Sequence, residues 1–567
     1  MGLAAKRSPE YTEDIDRKVW RAREAADRFA REPISRKLGW LYQIRDRVAR
    51  AAERWAAASC EHTRISLSSP SGGEAWILGP LGALRLLRLL SISLSDIERR
   101  GAPRLYGKPR RLASGQLAVP AFPGHLYDRG MLPGVRAEIR FLEGVSEVVQ
   151  ASFYAQSRPQ GRVAVVLGAG NVGSIPALDT LHKLFVEGQV VVLKMNPVNA
   201  YVGPILEDVM KPLVDLGYLT IVYGGADVGG QLCEHEQVDE IHITGSDRSH
   251  DAIVWGTDKA ERQRRREQNQ PLLQKRITSE LGNITPVMVV PGPYTDRELD
   301  AMAESIAGMV TMNASFNCIS AKMLVLPRGW AGGERLLAAL ARVFSAVPTR
   351  YAYYPGAEER YQVLTRDMPD VQAFGTAEAG HLPWTLIRGL DPSAASSLHF
   401  KMEPFCSILN VVELDAADPA GFLARATDFC NDTLWGTLNA MLFAPTSELN
   451  DPALSAQIEE AVQRLRYGVV GINHWSGVAY MLGSTPWGGH PSTTLGDIQS
   501  GQGWVHNTLM LEGIEKCVLW GPIVPAFKPV WSPLHRTCHI VGQKLCAFEA
   551  DPDLWRLSQL GFNALRA

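Results

Sequence analysis

Three residues able to do chemistry stand far apart in the chain. Cys318 lies in the polar stretch NASFNCIS (313–320), Glu280 stands beside a glycine in SELGN (279–283), and Asn171 lies within GAGNVG (168–173). An ionised thiol is a strong nucleophile, and a carboxylate can take its proton. An amide at the head of a helix, among backbone donors, can meet developing negative charge. Each residue also has a plainer reading. Cys318 could be an inert core cysteine, Asn171 a cap for the helix beginning near Gly173, and Glu280 a surface carboxylate at a strand entry paired with Arg276. The polar neighbours Asn313, Ser315, Asn317 and Ser320 favour an accessible thiol.

GAGNVG matches G-x-G-x-x-G between a predicted strand and a predicted helix, the context a dinucleotide fingerprint needs. The next strand, however, ends in Lys194, where the usual arrangement has a carboxylate. The motif is therefore open to three readings: the standard dinucleotide fingerprint, a tight strand-to-helix turn, or a nucleotide site in another pose, with Lys194 on a hydroxyl or phosphate.

The elements that must position these groups follow from hydrophobic periodicity. RVAVVLG (162–168), QVVVLK (189–194), YLTIVYG (218–224) and DEIHITG (239–245) read as buried strands, with helices over 174–188 and 203–217. Such alternation predicts a parallel sheet with crossover helices. A second series follows, with strands at 285–290, 321–326, 407–414, 439–445 and 469–474 and helices over 299–310 and 333–347. Two α/β units joined near 284 are expected. Residues 14–57 read as one or two amphipathic helices on the outside of a domain. A strand pair is expected within 135–155, where the alternation in VRAEIRFL suits a half-solvated strand. The charged stretch 256–276 reads as a solvated excursion or surface helix. Beyond 505, Trp520, Trp531 and several prolines suit a chain folding back over the domain or a partner.

Composition narrows the function classes. At 567 residues the chain exceeds one simple core, and 46% hydrophobic with 21% charged residues is ordinary for a soluble globular protein. A formal net charge of -2 supplies no global field for nucleic acid or an anionic membrane. The eight cysteines have neither zinc-ligand nor disulfide-framework spacing, so no metal is expected and a reducing, cytoplasmic setting fits. The N-terminus leads into a charged helix rather than an apolar signal segment. The run 77–94, carrying Arg85 and Arg88, reads as too broken to span a bilayer.

Together these motifs resemble the aldehyde dehydrogenase superfamily, in a divergent form. Asn171 and Lys194 are separated by the 23 residues the family pattern has. Thr244, Gly245 and Ser246 resemble its Thr/Gly-Ser turn, and Glu280, Leu281 and Gly282 its Glu-Leu-Gly segment. Asn313 through Cys318 resemble Asn-x-Gly-Gln-x-Cys, with Ser315 and Phe316 in place of glycine and glutamine. Glu403 to Cys406 resemble Glu-x-Phe-Gly-Pro with the final Gly-Pro lost. YGVVGINHW (467–475) and PWGGHP (486–491) resemble the glycine-bearing segments near the family's C-terminal end.

The resemblance implies an α/β fold of two parallel-sheet domains, a Rossmann-like cofactor domain and a catalytic thiol domain, with a small bridging or oligomerisation element. Its implied divisions are 1–283, 284–480 and 481–567. It implies Cys318 as nucleophile, Glu280 as general base and Asn171 as oxyanion donor together with the Cys318 backbone N–H. Lys194, Gly225, Gly229, Gly245, Ser246, Glu403 and Phe405 would hold NAD or NADP, and donors near Cys318 would lower its pKa. The implied reaction is oxidation of an aldehyde through a thiohemiacetal, hydride transfer and thioester hydrolysis by a homodimer or larger homo-oligomer. An acylating dehydrogenase or fatty-acyl reductase is the alternative, and an inactive nucleotide-binding scaffold a third. Relatives with a glutamate three residues past the lysine bind the ribose diol there. Pro197 stands at that place, which leaves NADP admissible beside NAD. The 34 residues between Ser246 and Glu280 exceed the family pattern and coincide with the charged segment. His474, Trp475 and Trp487 line the substrate mouth or simply pack.

Overall fold

The runs VAVVL, VVVLK and LTIV are apolar enough to need cover on both faces, the arrangement a parallel sheet between helices supplies. EIHIT alternates, and its polar face is buried by pairing Glu240 with Lys183, His242 with Thr278 and Thr244 with Asp179. The computed structural model describes residues 9–376 and 378–566. The first eight residues of the N-terminal reading lie outside the described residues. In chain order the first ten strands are β1 (Arg110–Arg111), β2 (Leu117–Phe122), β3 (Arg136–Phe141), β4 (Val163–Leu167), β5 (Val190–Lys194), β6 (Leu219–Val222), β7 (Glu240–Thr244), β8 (Arg276–Glu280), β9 (Thr285–Val289) and β10 (Ala321–Pro327). The rest are β11 (Arg350–Tyr351), β12 (Asp370–Phe374), β13 (His381–Leu382), β14 (Trp384–Leu390), β15 (Ile408–Leu414), β16 (Asn439–Phe443), β17 (Val469–Ile472) and β18 (Ile514–Trp520). Strands β11 and β13 form a separate small ribbon.

One sheet has the order β6-β5-β4-β7-β8, all parallel. Its register sets Leu167 opposite Lys194 and Ile243, and Thr244 opposite Glu280. Lys194 and Glu280 thus both end strands at the carboxyl edge, where open α/β sheets bind ligands. Glu280 closes its strand rather than opening one, a correction to the sequence reading.

The second sheet runs β1-β2-β3-β18-β17-β16-β9-β10-β15-β14-β12. The seven strands from β18 to β14 are parallel, but β12 joins one edge antiparallel and β3, β2 and β1 extend the other. The sheet is therefore mixed, not purely parallel. Within 135–155 only β3 is a strand, and its partners are β2 and, from the tail, β18. Nor is β3 half-solvated. Glu138 and Arg140 are buried, because Arg140 donates to Glu138 (3.0 Å) and, through both terminal nitrogens, to Glu459 (2.6 and 2.9 Å).

Helices Pro9–Ala30 and Ile34–Thr63 cover the first sheet and the helix Gly82–Arg100. The charged stretch near 260 forms the helix Lys259–Glu267, with no buried residue. The helical run Pro70–Arg100 is long and apolar enough to cross a membrane, and it is broken by a kink at Gly79 (φ -117°, ψ -110°), beside Pro80. In the fold, 89% of its apolar window is buried. The C-terminal helix Cys538–Ala550 docks on it so closely that a Cβ on Gly73 would stand 2.4 Å from the Cys538 sulfur.

Two arginines inside that run are neutralised from the far end of the chain. Arg85 donates to Glu549 (2.7 Å), Asp128 (3.4 Å) and the Leu482 carbonyl (2.8 Å), and Arg88 donates to Glu549 (2.6 Å). Burial alone would raise the Glu549 carboxyl, but the two guanidiniums outweigh it and hold it below its ordinary value. Glu549→Ala leaves both cations buried against a missing partner and is expected to cost about 3–5 kcal/mol, read as a lower urea midpoint.

Candidate active site

The cysteine loop is held in a conformation side chains resist. After the helix Asp296–Thr311, Asn313, Ala314 and Ser315 have φ of 55°, 52° and 71°. Left-handed backbone at a non-glycine residue costs on the order of 1–3 kcal/mol, so the surroundings must impose it. The Asn313 amide donates to the Asn171 carbonyl (2.9 Å), the Phe316 carbonyl (3.1 Å) and Asn317 Oδ1 (3.1 Å). Its backbone N–H donates to Glu74 (3.0 Å), itself paired with Arg350. The Cys318 carbonyl accepts from Thr285 Oγ1 (3.2 Å) and Asn439 Nδ2 (3.3 Å), which ties the cysteine to the starts of β9 and β16.

Asn171 lies in the turn between β4 and the helix Ile175–Phe185. Its side-chain amide donates to the Phe316 carbonyl (2.9 Å), two residues before the cysteine. One N–H of that amide is used there and a second is left over. The helix has no side-chain cap, so the capping role considered for Asn171 is not filled. Asn171 and Cys318 line one cavity of about 280 Å³.

Glu280 is buried, and among the described residues neither of its oxygens has a hydrogen-bond partner of ordinary geometry. Burial pushes its carboxyl up to about 7. The neighbouring Cys318 thiol and Trp487 indole pull against that shift, while the charges of Asp179 and Glu403 add to it. The Cys318 thiol is in turn pushed well above its ordinary 9, first by burial and then by Glu280. The expected lowering of the thiol is thus reversed: a carboxylate, not a cation, is its nearest charge. Arg276 is no partner of Glu280. It sits at the other end of β8, on Glu240 (2.7 Å) and Glu187 (3.3 Å).

The remaining predicted residues surround the carboxyl edge of the first sheet. Burial holds the Lys194 ammonium below its ordinary value, against the charges of Asp227 and Cys233. Gly245 and Ser246 are exposed at the head of the helix Asp247–Trp255, where Ser246 Oγ accepts from the Ser249 N–H (3.2 Å). Gly225 precedes the helix Ala226–Glu234. Gly229, inside that helix, faces no crowding, since a Cβ there would meet Leu167 only at 3.8 Å. Glu403 comes from the other side of the cleft. A Cβ on Gly282 would stand 2.2 Å from its Oε2, so the glycine is what admits this carboxylate. Phe405 packs edge-on against Tyr354 at 4.9 Å and lies 5.9 Å from Phe316.

Residues 137–349 match the model of the aldehyde dehydrogenase family. Over that stretch, rather less than half of the chain, the sequence is similar to the aldehyde dehydrogenase family. It is 24% identical over 281 residues to FUS7 of Gibberella moniliformis, a protein named for the same family, in a match covering 48% of this chain and 56% of FUS7. The chain thus spans about half the length of that curated relative. Its fold is similar to NAD-dependent aldehyde dehydrogenase from Sinorhizobium meliloti (TM-score 0.60, 18% identity, 90% of this chain and 87% of that one). It is also similar to glyceraldehyde-3-phosphate dehydrogenase GapN from Methanocaldococcus jannaschii complexed with NADP (TM-score 0.59, 15% identity, 90% and 94% covered).

The chain departs from that family's motif pattern at Ser315 and Cys406, and one buried lysine joins the two. Lys322 donates to the Ser315 carbonyl (2.9 Å), Ser315 Oγ (2.7 Å) and the Cys406 carbonyl (3.1 Å). Phe316 enters an aromatic cluster with Tyr353 and Tyr354. The Tyr353 hydroxyl reaches the Asn171 carbonyl (2.8 Å) and Asn313 Oδ1 (3.0 Å). Sequence reasoning missed both Lys322 and Tyr353, and only the lone charge in the strand AKMLVL pointed to the first. Of the three aromatic residues considered for the substrate mouth, His474 and Trp475 line the cavity, whereas Trp487 is fully buried beside Glu280.

Proposed function

We propose that the protein oxidises an aldehyde to a carboxylic acid, with Cys318 as nucleophile, Glu280 as general base and Asn171 as oxyanion donor. The observation that carries this reading is Glu280: a buried carboxyl near neutrality, without a structural partner, beside a thiol that opens on a cavity. A carboxylate with that pKa can take a thiol proton at neutral pH. The Cys318 sulfur adds to the carbonyl carbon, and the carbonyl oxygen becomes an oxyanion between the free Asn171 N–H and the Cys318 backbone N–H. Oxidation of that adduct leaves an acyl thioester on Cys318. Glu280 releases the thiol proton to solvent and then takes a proton from water as the water oxygen adds to the acyl carbon. The C–S bond breaks, and the leaving thiolate takes that proton from Glu280, which regenerates the thiol and the carboxylate.

Lys194, Gly225, Gly245, Ser246, Glu403 and Phe405 would hold NAD or NADP. The buried Glu403 Oε1 finds no partner among the described residues and suits a ribose hydroxyl donor, and the exposed head of the helix Asp247–Trp255 suits a pyrophosphate. The dinucleotide would supply the hydride acceptor. Pro197, which opens the turn Pro197–Val202, sets no carboxylate against a 2'-phosphate, so both cofactors remain in the proposal. The proposal includes a homodimer in a reducing cytoplasm, in keeping with eight free cysteines and testable by light scattering.

With an aldehyde and either dinucleotide, the protein is expected to form NAD(P)H and free acid without coenzyme A. Product appearing only as acyl-CoA would move the assignment to an acylating enzyme. Absence of NAD(P)H with every aldehyde would remove oxidation altogether.

A further inference from the structure

The cavity beside Cys318 is walled by two segments distant in sequence. Leu78 and Leu81 come from the buried helical run, and Trp531, Leu545 and Leu557 come from the C-terminal segment, which lies beyond the residues that match the family model. The few charged or titratable lining groups are already satisfied or neutral. Arg85 is consumed by Glu549 and Asp128, and Lys528 pairs with Glu304 (3.3 Å). Burial pushes His474 and His535 down to about 4, so both are neutral. Among the described residues the lining therefore offers no free cation to a phosphate or carboxylate, while its apolar walls favour hydrocarbon over water.

Resting on the aldehyde-oxidising reading, we propose that this cavity takes an uncharged aliphatic chain, making medium- and long-chain apolar aldehydes the substrate class. The carbonyl end lies at Cys318, and the chain runs between the helical run and the C-terminal cover. An anionic aldehyde would leave its charge among apolar walls without a partner, a costly arrangement.

The test is a kcat/KM series from propanal to dodecanal on the full-length protein, with succinic semialdehyde as the anionic member. Burying each added methylene is expected to raise kcat/KM by about fourfold until the cavity is full, and by about a hundredfold or more over the series. Succinic semialdehyde is expected below butanal. Leu557→Arg, which adds a cation to the C-terminal wall, is expected to lower the dodecanal-to-propanal ratio at least tenfold. A flat series, or preference for succinic semialdehyde, overturns the chain-length inference and leaves aldehyde oxidation standing. If no aldehyde is turned over, the oxidising reading fails and dodecanol decides the cavity. Trp475 and Trp531, 5.6 Å apart on its wall, report binding by fluorescence. A saturable change with dodecanol, absent with propanol, supports an aliphatic site, and no change overturns it.

Discussion

Alanine in place of Cys318 is expected to abolish aldehyde oxidation, by about four to six orders of magnitude in kcat, since no other group near the cavity can carry the acyl intermediate. The stability cost should be small, because the thiol makes no structural hydrogen bond of ordinary geometry and Cys318 alone of the eight cysteines is not fully buried. The same contrast allows a check that needs no substrate. Iodoacetamide should modify Cys318 and spare Cys60, Cys233, Cys406, Cys430, Cys517, Cys538 and Cys546, all buried. The thiol is pushed well above 9 by burial and by Glu280, so alkylation at pH 7 should be slow and should climb steeply on the alkaline side. A fast reaction at neutral pH would indicate a stable thiolate and would remove the need for a base. Thermal melting of Cys318→Ala close to that of the unaltered protein would confirm that the lost activity is chemical.

Much of this site was legible because the relevant residue types stand in places where packing gives them no reason to be. A cysteine among asparagines and serines, a glutamate beside a glycine at the edge of an apolar run, and an asparagine in a strand-to-helix turn are each locally odd, and their order makes them a set. The strands β4 to β6 are legible because runs of mostly apolar residues on both faces have only one economical arrangement, and β7 is legible from its strict alternation, Glu240-Ile241-His242-Ile243-Thr244. What escaped the reading depended on pairings over long separations. Arg140 in β3 reads as solvent-facing until Glu459 arrives from 319 residues away. In sequence Arg85 and Arg88 interrupt an apolar helix; in the fold Glu549 neutralises both from the C-terminal end. In sequence the residues of β18 read as part of a covering tail, although the strand lies between β3 and β17 inside the large sheet.

The motif departures illustrate the same limit. Read alone, Ser315 and Cys406 look like losses, since glycine would enter the left-handed backbone at Ser315 without strain. In the fold both face the Lys322 ammonium, which burial lowers to about 8 despite the charges around it. The three residues together hold the cysteine loop against the segment that carries Glu403. The strain at Asn313, Ala314 and Ser315 is thus maintained by partners that a linear pattern cannot pair.

Glu280→Gln separates the two halves of the proposed reaction. The amide keeps the shape of the side chain but accepts no proton at neutral pH, so hydrolysis of the thioester should slow by about two to four orders of magnitude. The first turnover, itself slowed by loss of the thiol's base, should still outpace the rest: a burst of NAD(P)H near one equivalent, followed by a slow phase, with intact-protein mass increased by one acyl group on Cys318. In the unaltered protein kcat/KM should rise with pH along a limb near 7, the value to which burial pushes the carboxyl, and that limb should vanish in the variant. The apparent value belongs to the Glu280–Cys318 pair jointly, since each shifts the other. Stability gives an independent reading with the opposite preference. Because the folded carboxyl titrates at about 7 against an ordinary 4.5, its contribution is fully present below 4.5 and is lost as pH rises through 7. Ionised Glu280 therefore costs the fold on the order of 3 kcal/mol above neutrality. Glu280→Gln should match the unaltered protein near pH 4 and melt at higher temperature by pH 8, where it is catalytically crippled. An unchanged melting difference across that range would mean that Glu280 is not buried as a proton acceptor, and the hydrolytic assignment would lose its base.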